Sequence, residues 1–289
     1  MTNPTGYDEH RIPSDQGDVY VRDYPGAGPT LVLMHGFPDH LGIYDDLVPH
    51  LVAAGRRVVL FDFLGFGGSD KPIGASYSFE QQLGDLEAVV QGLNLGKVGL
   101  VVHDSSGIVG LDFALAHPGK MAGLYILNSA FDASRHAHWP EMIILFADPD
   151  LAALAQVFAT DPQQFGWLLK WQQGRFAASL SPAQRQHFEA FIGPLIADNF
   201  IKQPSAGPAF AQMAARFYAA LARNSARLGD LAALDMPVKV IWGTDDPYLT
   251  TAMGEERAAH FKKGSFHPIT AGHWLQSDEP ALVAKEILS

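Results

Sequence analysis

Short apolar runs that alternate with helical patterns are the feature that most limits how this chain can fold. The runs TLVLMHG (30–36), RVVLFDF (57–63) and VGLVVHD (98–104) are bounded by glycine and polar residues, which is typical of strands buried on both faces of a parallel sheet. Two more runs of this kind are AGLYILNS (122–129) and VKVIWGT (238–244). Helical periodicity covers residues 42–55, 78–94 and 107–119. This alternation predicts an α/β fold with a mostly parallel, doubly wound sheet.

The regular alternation stops after residue 129. Residues 17–26 alternate as an antiparallel strand does, but from Phe131 to Leu234 helical patterns dominate and no buried strand is evident. The strand pattern then resumes, with one more strand near SFHPIT (265–270) and a C-terminal helix. We therefore predict a core domain formed by residues 1–130 and 235–289, with a helical cap, 131–234, inserted into it.

Composition excludes several classes of partner. The chain has 289 residues, is 47% hydrophobic and carries a formal net charge of −11, with no run of basic residues, which argues against nucleic acid and anionic membranes. We find no apolar run long enough for a membrane helix, and the polar start MTNPTGYDEHR does not resemble a signal peptide. The absence of cysteine excludes disulfides and fits a reducing compartment. We expect a soluble, cytoplasmic protein that acts on a small molecule; its oligomeric state is not predicted.

The stretch GLVVHDSSGIV (99–109) places candidate nucleophiles where a strand ends and a helix begins. Ligands of open α/β sheets bind at this edge, and a nucleophile on such a sharp turn needs small neighbours. With Asp104 at the tip, Ser106 and Gly107 follow two and three residues later; with Ser105 at the tip, the flanking residues include His103 and Ile108, which are bulky. This comparison favours Asp104 over Ser105, although an aspartate here can also simply cap the helix.

Three other strand ends supply the remaining parts of a catalytic site. The turn HGFPDH (35–40) follows a central strand, and the backbone N–H of Phe37 is expected to pair with that of Ser105 to bind an oxyanion. WGTDDP (242–247) ends a late strand with the carboxylates of Asp245 and Asp246, and AGHW (271–274) places His273 before the last helices. The resulting chain order is nucleophile, acid, histidine, which is that of one of the common catalytic triads.

The segments HGFP, FDFLGFGGSDKP, VVHDSSG, WGTDDP and AGHW together resemble the α/β-hydrolase superfamily, and most closely its aspartate-nucleophile branch of epoxide hydrolases, haloalkane dehalogenases and haloacetate dehalogenases. The resemblance implies the α/β-hydrolase fold with a helical cap. It implies that Asp104 attacks a saturated carbon to form an alkyl ester, that His273 activates the water that hydrolyses this ester, and that Asp246 orients His273. It implies no organic cofactor and no metal.

Within that branch, epoxide hydrolysis of a small apolar substrate is the leading interpretation. FYAALARN (217–224) resembles the segment that carries a ring-opening tyrosine in epoxide hydrolases, so that Tyr218 is the expected acid and His138 a possible second donor. The tryptophans Trp139, Trp167 and Trp171 are candidates for the wall of an apolar pocket.

Three further functions stay open. Carbon–halogen hydrolysis is the nearest, although Ser105 stands where haloalkane dehalogenases usually carry a halide-binding tryptophan. Haloacetate dehalogenases carry arginines after the nucleophile, where this chain has Ser105 and Ile108. The second open function is that of an esterase that uses Ser105, and the third is that of a non-catalytic ligand-binding protein of the same fold.

Overall fold

A computed structural model describes residues 6–289, without the side chain of residue 160; the first five residues, on which part of the signal-peptide prediction rests, lie outside the described residues. Within this range eight strands form one sheet in the order β1-β2-β4-β3-β5-β6-β7-β8. The strands are β1 Asp8–Ser14, β2 Gly17–Tyr24, β3 Ala27–Met34, β4 Arg56–Phe61, β5 Val98–Asp104, β6 Met121–Ser129, β7 Val238–Gly243 and β8 Gly264–Ile269. β1 and β2 form an antiparallel hairpin that joins β4, and all other pairs are parallel.

The central strands β3, β5 and β6 are buried on both faces, as their apolar sequences predict. In β5 every residue from Val98 to His103 is buried, and only Asp104 is partly exposed. Because these strands are parallel, their carboxyl ends meet at one edge of the sheet, and the segments that carry the predicted site residues all leave the sheet there. The topology of the sheet alone therefore places those residues close together.

Helices cover the two faces of the sheet and extend over its carboxyl edge. They are α1 Val48–Ala53, α2 Phe79–Gly92, α3 Ser106–Ala116, α4 Glu141–Ala147, α5 Ala152–Thr160, α6 Pro162–Ala177, α7 Pro182–His187, α8 Gly193–Ile201, α9 Gly207–Ser225, α10 Thr251–Ala259, α11 Leu275–Asp278 and α12 Pro280–Leu288. The predicted helices at 78–94 and 107–119 agree with α2 and α3. The predicted helix at 42–55 is divided into a 3₁₀ turn, Leu41–Tyr44, and the short α1.

The segment between β6 and β7 contains only helices, α4 to α9, among its regular elements; we call it the inserted segment. Its start is tied to its end, because the Asn224 amide donates to the Phe131 carbonyl oxygen (3.0 Å) and the Ala133 N–H donates to Ser225 Oγ (3.0 Å). Beside this tie a fully buried ion pair joins Asp132 to Arg257 of α10. The division of the chain into a core and a cap, with boundaries at residues 131 and 234, stays a prediction.

Membrane-spanning potential is limited to one bent pair of helices. No single helix in residues 6–289 combines the length and the hydropathy needed to cross a bilayer. The pair Glu141–Ala147 and Pro149–Ala159, bent by 86°, meets the length and composition criteria only when its two parts are taken together.

Candidate active site

Asp104 is held in a strained turn between β5 and α3. Its φ of +53° lies in the left-handed region, which is unfavourable for a residue with a side chain. The turn fits because its neighbours are small: a Cβ on Gly36 would collide with the Asp104 carboxylate, and one on Gly107 would collide with Ser129 and the Ala130 carbonyl oxygen. The strain thus presents the Asp104 side chain at the edge of the sheet, where 26% of it remains exposed.

Backbone N–H groups hold one oxygen of this carboxylate. The N–H of Phe37 donates to Asp104 Oδ1 (3.2 Å) and also approaches Ser105 Oγ (3.2 Å). Burial opposes ionisation of Asp104, but the hydrogen bond and charge of His273, together with the N–H of Ser105, keep the pKa of Asp104 below its ordinary value. The two N–H groups expected to bind an oxyanion therefore lie at Asp104.

His273 lies between two carboxylates. Its Nδ1 is 2.6 Å from Asp246 Oδ2, and its Nε2 is 3.5 Å from Asp104 Oδ2, the oxygen that the N–H of Phe37 leaves free. The strand β7 ends just before Asp246, and the loop that follows β8 carries His273. The structure brings together Asp104, Asp246 and His273, the three residues that the sequence singled out as a triad.

Asp246, rather than its neighbour Asp245, is the acid that contacts His273. The N–H groups of Tyr248 (2.9 Å) and Leu249 (3.1 Å) donate to Asp246 Oδ1, and the Asn128 amide donates to Oδ2 (2.8 Å). Although burial disfavours its charge, His273, Asn128 and the backbone N–H of Tyr248 lower the pKa of Asp246. Asn128 was not identified from the sequence; its position at the end of β6, the strand between β5 and β7, was the available signal.

The two carboxylates determine the charge of His273. Burial lowers the pKa of His273, but Asp246 and Asp104 outweigh burial and raise it to about 10. Three ionised groups therefore share the site at neutral pH: a cationic imidazole between two anionic carboxylates. Because His273 is charged in the folded protein at a pH where it is neutral in the unfolded chain, its protonation stabilises the fold.

The stability contributed by His273 should disappear at high pH. Its pKa rises from 6.5 to about 10 on folding, so its contribution is complete below pH 6.5 and is lost as the pH rises through about 10. We expect the free energy of unfolding to decline across this window by up to about 1.4 kcal/mol per pH unit relative to the variant His273→Gln, which has no such group. Urea unfolding of both proteins at several pH values measures the difference. Parallel stability curves for the two proteins would contradict this explanation.

A second pair of buried ionisable groups lies behind His273. Asp39 Oδ2 accepts a hydrogen bond from Trp274 Nε1 (3.0 Å), and burial, with the nearby charge of Asp104, raises the pKa of Asp39 to about 7. His103 Nε2 contacts the backbone oxygen of His273 (2.9 Å), and burial lowers the pKa of His103 to about 3, so this imidazole is neutral. His103 thus supports the loop that carries His273 and is not a competing nucleophile.

The carboxylate of Asp104 faces two small cavities, which together we call the catalytic cavity. Their volumes are about 50 and 20 Å³, and both contact Phe37, Asp104, Pro140, Ile143, Phe176 and His273. The smaller cavity also contacts Tyr248, and the larger one also contacts Gln172. Phe176 packs on His273 with ring centroids 5.1 Å apart, so the inserted segment shields the histidine from solvent. Sequence reasoning missed Phe176, Tyr248 and Gln172.

The structure brings only some of the predicted substrate-binding side chains to this cavity. Phe37 and Trp139 line it. Tyr218 does not line it; the preceding residue of α9, Phe217, does, and Tyr218 is half-buried nearby. His138 is exposed at the surface. On α6, Trp167 is 61% and Trp171 40% exposed, because Phe165, Leu168, Leu169 and Gln172 form the buried face of that helix.

This arrangement provides what a two-step nucleophilic reaction requires. The ionised carboxylate of Asp104 borders an apolar cavity, His273 lies 3.5 Å from one of its oxygens, and the N–H of Phe37 donates to the other. Among the described residues no group of three or more histidine, aspartate or glutamate side chains is arranged as a metal site.

Comparison with known proteins identifies the family of this chain. The family model described as alpha/beta hydrolase fold matches residues 29–280. The chain is 35% identical to a fluoroacetate dehalogenase from Burkholderia over 161 residues, which is 47% of this chain and 52% of the relative. It is 26% identical to an epoxide hydrolase from Xenopus tropicalis, over 93% of this chain and 72% of the relative. The fold is similar to that of a haloalkane dehalogenase from Bradyrhizobium elkani, with a TM-score of 0.75 and 21% identity over 98% of this chain and 96% of the other. The chain is therefore an enzyme that belongs to the alpha/beta hydrolase fold family.

Proposed function

We propose that this enzyme hydrolyses a bond at a saturated carbon through an alkyl ester on Asp104, and that its substrate is an epoxide. The observation that carries the proposal is that the two carboxylate oxygens of Asp104 have different partners. Oδ1 accepts the N–H of Phe37, while Oδ2 lies 3.5 Å from His273 Nε2, and the residue lines the cavity. A helix-capping aspartate needs neither a histidine at this distance nor an apolar cavity in front of it. A non-catalytic binding protein has no need of the ionised triad.

Ser105 is less suited to be the nucleophile. Its φ of −73° is ordinary, and its Oγ lies beside the N–H of Phe37, whereas the strained position of the turn belongs to Asp104. An esterase mechanism would need Ser105 Oγ at His273. The geometry therefore favours the carboxylate, which is already ionised and needs no base for its attack.

The first step opens the ring. Asp104 Oδ2 attacks a ring carbon, the C–O bond breaks, and the oxygen takes a proton from the hydroxyl of Tyr248. We assign this acid to Tyr248 rather than Tyr218 because Tyr248 lines the cavity and its N–H fixes it to Asp246. Its hydroxyl donates to Glu141 and accepts from the Gln172 amide (2.7 Å), so the assignment requires the hydroxyl to turn from Glu141 to the ring oxygen. Burial and the contact with Glu141 raise the pKa of Tyr248 to about 12. The phenol is therefore protonated at neutral pH and is still more acidic than an alcohol.

The second step hydrolyses the ester. Alkylation cancels the charge of Asp104, one of the two carboxylates that hold a proton on His273, so the pKa of His273 falls when a base is needed. Neutral His273 takes a proton from water, the hydroxide adds to the ester carbon, and the N–H groups of Phe37 and Ser105 bind the oxyanion. Collapse releases the diol, which takes the proton of His273, and the proton left on Asp104 returns to His273. The proton that His273 lost when its pKa fell passes through solvent to the phenolate of Tyr248, so the starting protonation states are restored.

Carbon–halogen hydrolysis is the second candidate. The observation that favours it is the position of Trp139, which lines the catalytic cavity, because an indole N–H is a suitable donor to a departing halide. The same two steps then apply, with halide leaving in place of an alkoxide and without the need for an acid.

One experiment tests the mechanism and separates the two candidates. Excess enzyme is mixed with the terminal epoxide or the terminal bromide of butane in heavy-oxygen water, and product and protein are analysed by mass spectrometry. We expect heavy oxygen in Asp104 and unlabelled oxygen in the first-turnover product, because the oxygen delivered to carbon comes from the carboxylate. Tyr248→Phe should slow diol formation by about a hundredfold, the usual scale of a general acid, and should slow halide release much less.

Heavy oxygen in the first-turnover product with none in Asp104 would overturn the covalent mechanism. Halide release without diol formation would replace the leading candidate by the second.

A further inference from the structure

The inserted segment contains a second cavity that the proposed chemistry does not use. Its volume is about 1030 Å³, against about 50 Å³ for the larger part of the catalytic cavity. It lies between α6 and α8, with contributions from α5 and α9; we call it the inserted-segment groove. A volume of this size suits a whole organic ligand, whereas the catalytic cavity has room only for a reacting group and a few water molecules.

The groove and the catalytic cavity share a wall. Leu169 and Gln173 of α6 line both spaces, so they are the partition between them. The Gln173 amide donates to the backbone oxygen of Gly193 (2.9 Å) at the start of α8, which fastens the partition across the two helices. For the two spaces to join, the side chains of Leu169 and Gln173 have to turn aside.

The groove is lined mainly by apolar side chains, with the charged Lys170 and Glu189 also in its lining. Phe165, Leu169, Phe188 and Phe200 line it, and Ile201 at its margin is 73% exposed. Gly166 and Gly174 of α6 also line it, and a Cβ on either would meet no atom within 4 Å. Two glycines cost a helix stability. At these two positions no side chain projects into the groove, so the groove stays open along α6.

Helix geometry at the partition is also irregular. The turn that leads into α8, Phe188–Ile192, is a π-helix, and Phe188 and Glu189 of this turn line the groove. Such turns are rare and occur often at functional sites. The π-helical turn rotates the directions of the following side chains just before Gly193, whose backbone oxygen accepts the hydrogen bond of the Gln173 amide.

We propose that the inserted-segment groove binds the unbranched alkyl tail of the substrate, which passes between Leu169 and Gln173 to place its reacting end at Asp104. This inference rests on the proposed function and deepens it, because it identifies the substrate class as terminal epoxides, or halides, of long-chain alkanes. The reacting group is small, and the remainder of the molecule occupies the groove.

The test compares two matched glycine-to-leucine variants on substrates of two chain lengths. Gly174→Leu fills the groove, and Gly84→Leu is the control, since Gly84 lies in α2, away from the groove, and its Cβ also meets no atom within 4 Å. Leucine is a better helix former than glycine, so both variants should fold. The readout is the ratio of kcat/KM for the terminal epoxide of dodecane to that of butane.

We expect this ratio to favour dodecane in the native enzyme and to stay unchanged in Gly84→Leu. In Gly174→Leu it should fall about tenfold or more, which corresponds to the loss of roughly two buried methylenes. A native enzyme with no preference for the longer chain, or equal ratios in the two variants, would overturn the proposal.

A binding measurement separates this proposal from the proposed chemistry. Calorimetric titration of Asp104→Asn protein with the terminal diol of dodecane needs no turnover. Binding that Gly174→Leu weakens in this background supports the groove even if epoxides are not substrates. Binding that is insensitive to the Gly174→Leu change refutes the groove even if Asp104 is alkylated as proposed.

Discussion

Replacing His273 by glutamine is expected to stop the enzyme after a single alkylation. The carboxylate of Asp104 attacks without a base, so the first step survives, whereas hydrolysis of the ester loses the group that activates water. General-base catalysis is worth about a hundredfold to ten-thousandfold, and steady-state turnover should fall by that factor. Mixing the variant with excess substrate should give a burst of about one equivalent of ring opening. The mass of the intact protein should then increase by that of the substrate.

Peptide mapping of the trapped protein decides which residue is modified. The added mass should lie on Asp104 of the segment VVHDSSG. Glutamine retains the size and a hydrogen-bonding group of the side chain, so the variant tests chemistry rather than packing. An adduct on Ser105 would contradict the assignment, and undiminished steady-state turnover would remove His273 from the mechanism.

Asp104→Asn is expected to have the largest effect on activity of any single substitution. It keeps the shape of the side chain and removes the charge and the nucleophilic oxygen, and loss of a covalent nucleophile costs about four orders of magnitude or more in kcat. Ser105→Ala is the matched comparison. It removes only an oxygen near the N–H of Phe37, and the loss of one such hydrogen bond corresponds to roughly tenfold or less.

The measurement is kcat for both variants on the same epoxide, made on freshly purified protein whose mass confirms the asparagine. The opposite ranking, with Ser105→Ala the more damaging change, would favour an esterase mechanism. Circular dichroism should show that both variants retain the native fold.

Sequence patterns predicted the sheet well because its central strands are buried on both faces. β3, β4, β5, β6 and β7 all coincide with the apolar runs. β1, Asp8–Ser14, was missed because its residues are exposed or half-buried, so that its sequence DEHRIPS shows no apolar run. Edge strands of this kind are held by pairing with a neighbour, and a pattern based on burial does not detect them.

The proximity of Asp104, Asp246 and His273 was predictable for a geometric reason, whereas the side chains that line the cavity were not. Asp104, Asp246 and His273 follow strands whose ends must meet, so their positions along the chain were sufficient. Tyr218 was chosen by residue type and similarity, although helical periodicity favours its neighbour. Phe210, Met213, Ala214 and Phe217 are buried with the spacing of one helix face, and Tyr218 lies off that face. On α6 the same periodicity would have excluded Trp167.

The choice between Asp245 and Asp246 shows a different limit. Both follow β7, so strand position alone does not separate them; the family resemblance favoured Asp246, the residue before the proline, and in the structure the N–H groups of Tyr248 and Leu249 donate to Asp246. Asn128 and Asp39 depend in the same way on contacts between segments far apart in the sequence. Such contacts are set by the packed fold, and a position at the end of a strand, as for Asn128, is the only sequence signal that points to them.

The buried ion pair of Asp132 and Arg257 restricts how substrates can exchange. It fixes the start of the inserted segment to the core, and Asn224 and Ser225 fix the end of that segment to its start. Breaking a buried pair by removing one partner costs about 3–5 kcal/mol, so these anchors hold during turnover. The base of the inserted segment therefore stays attached to the core. Exchange of molecules between solvent and Asp104 is then a matter of movements within the inserted segment rather than of its detachment from the core.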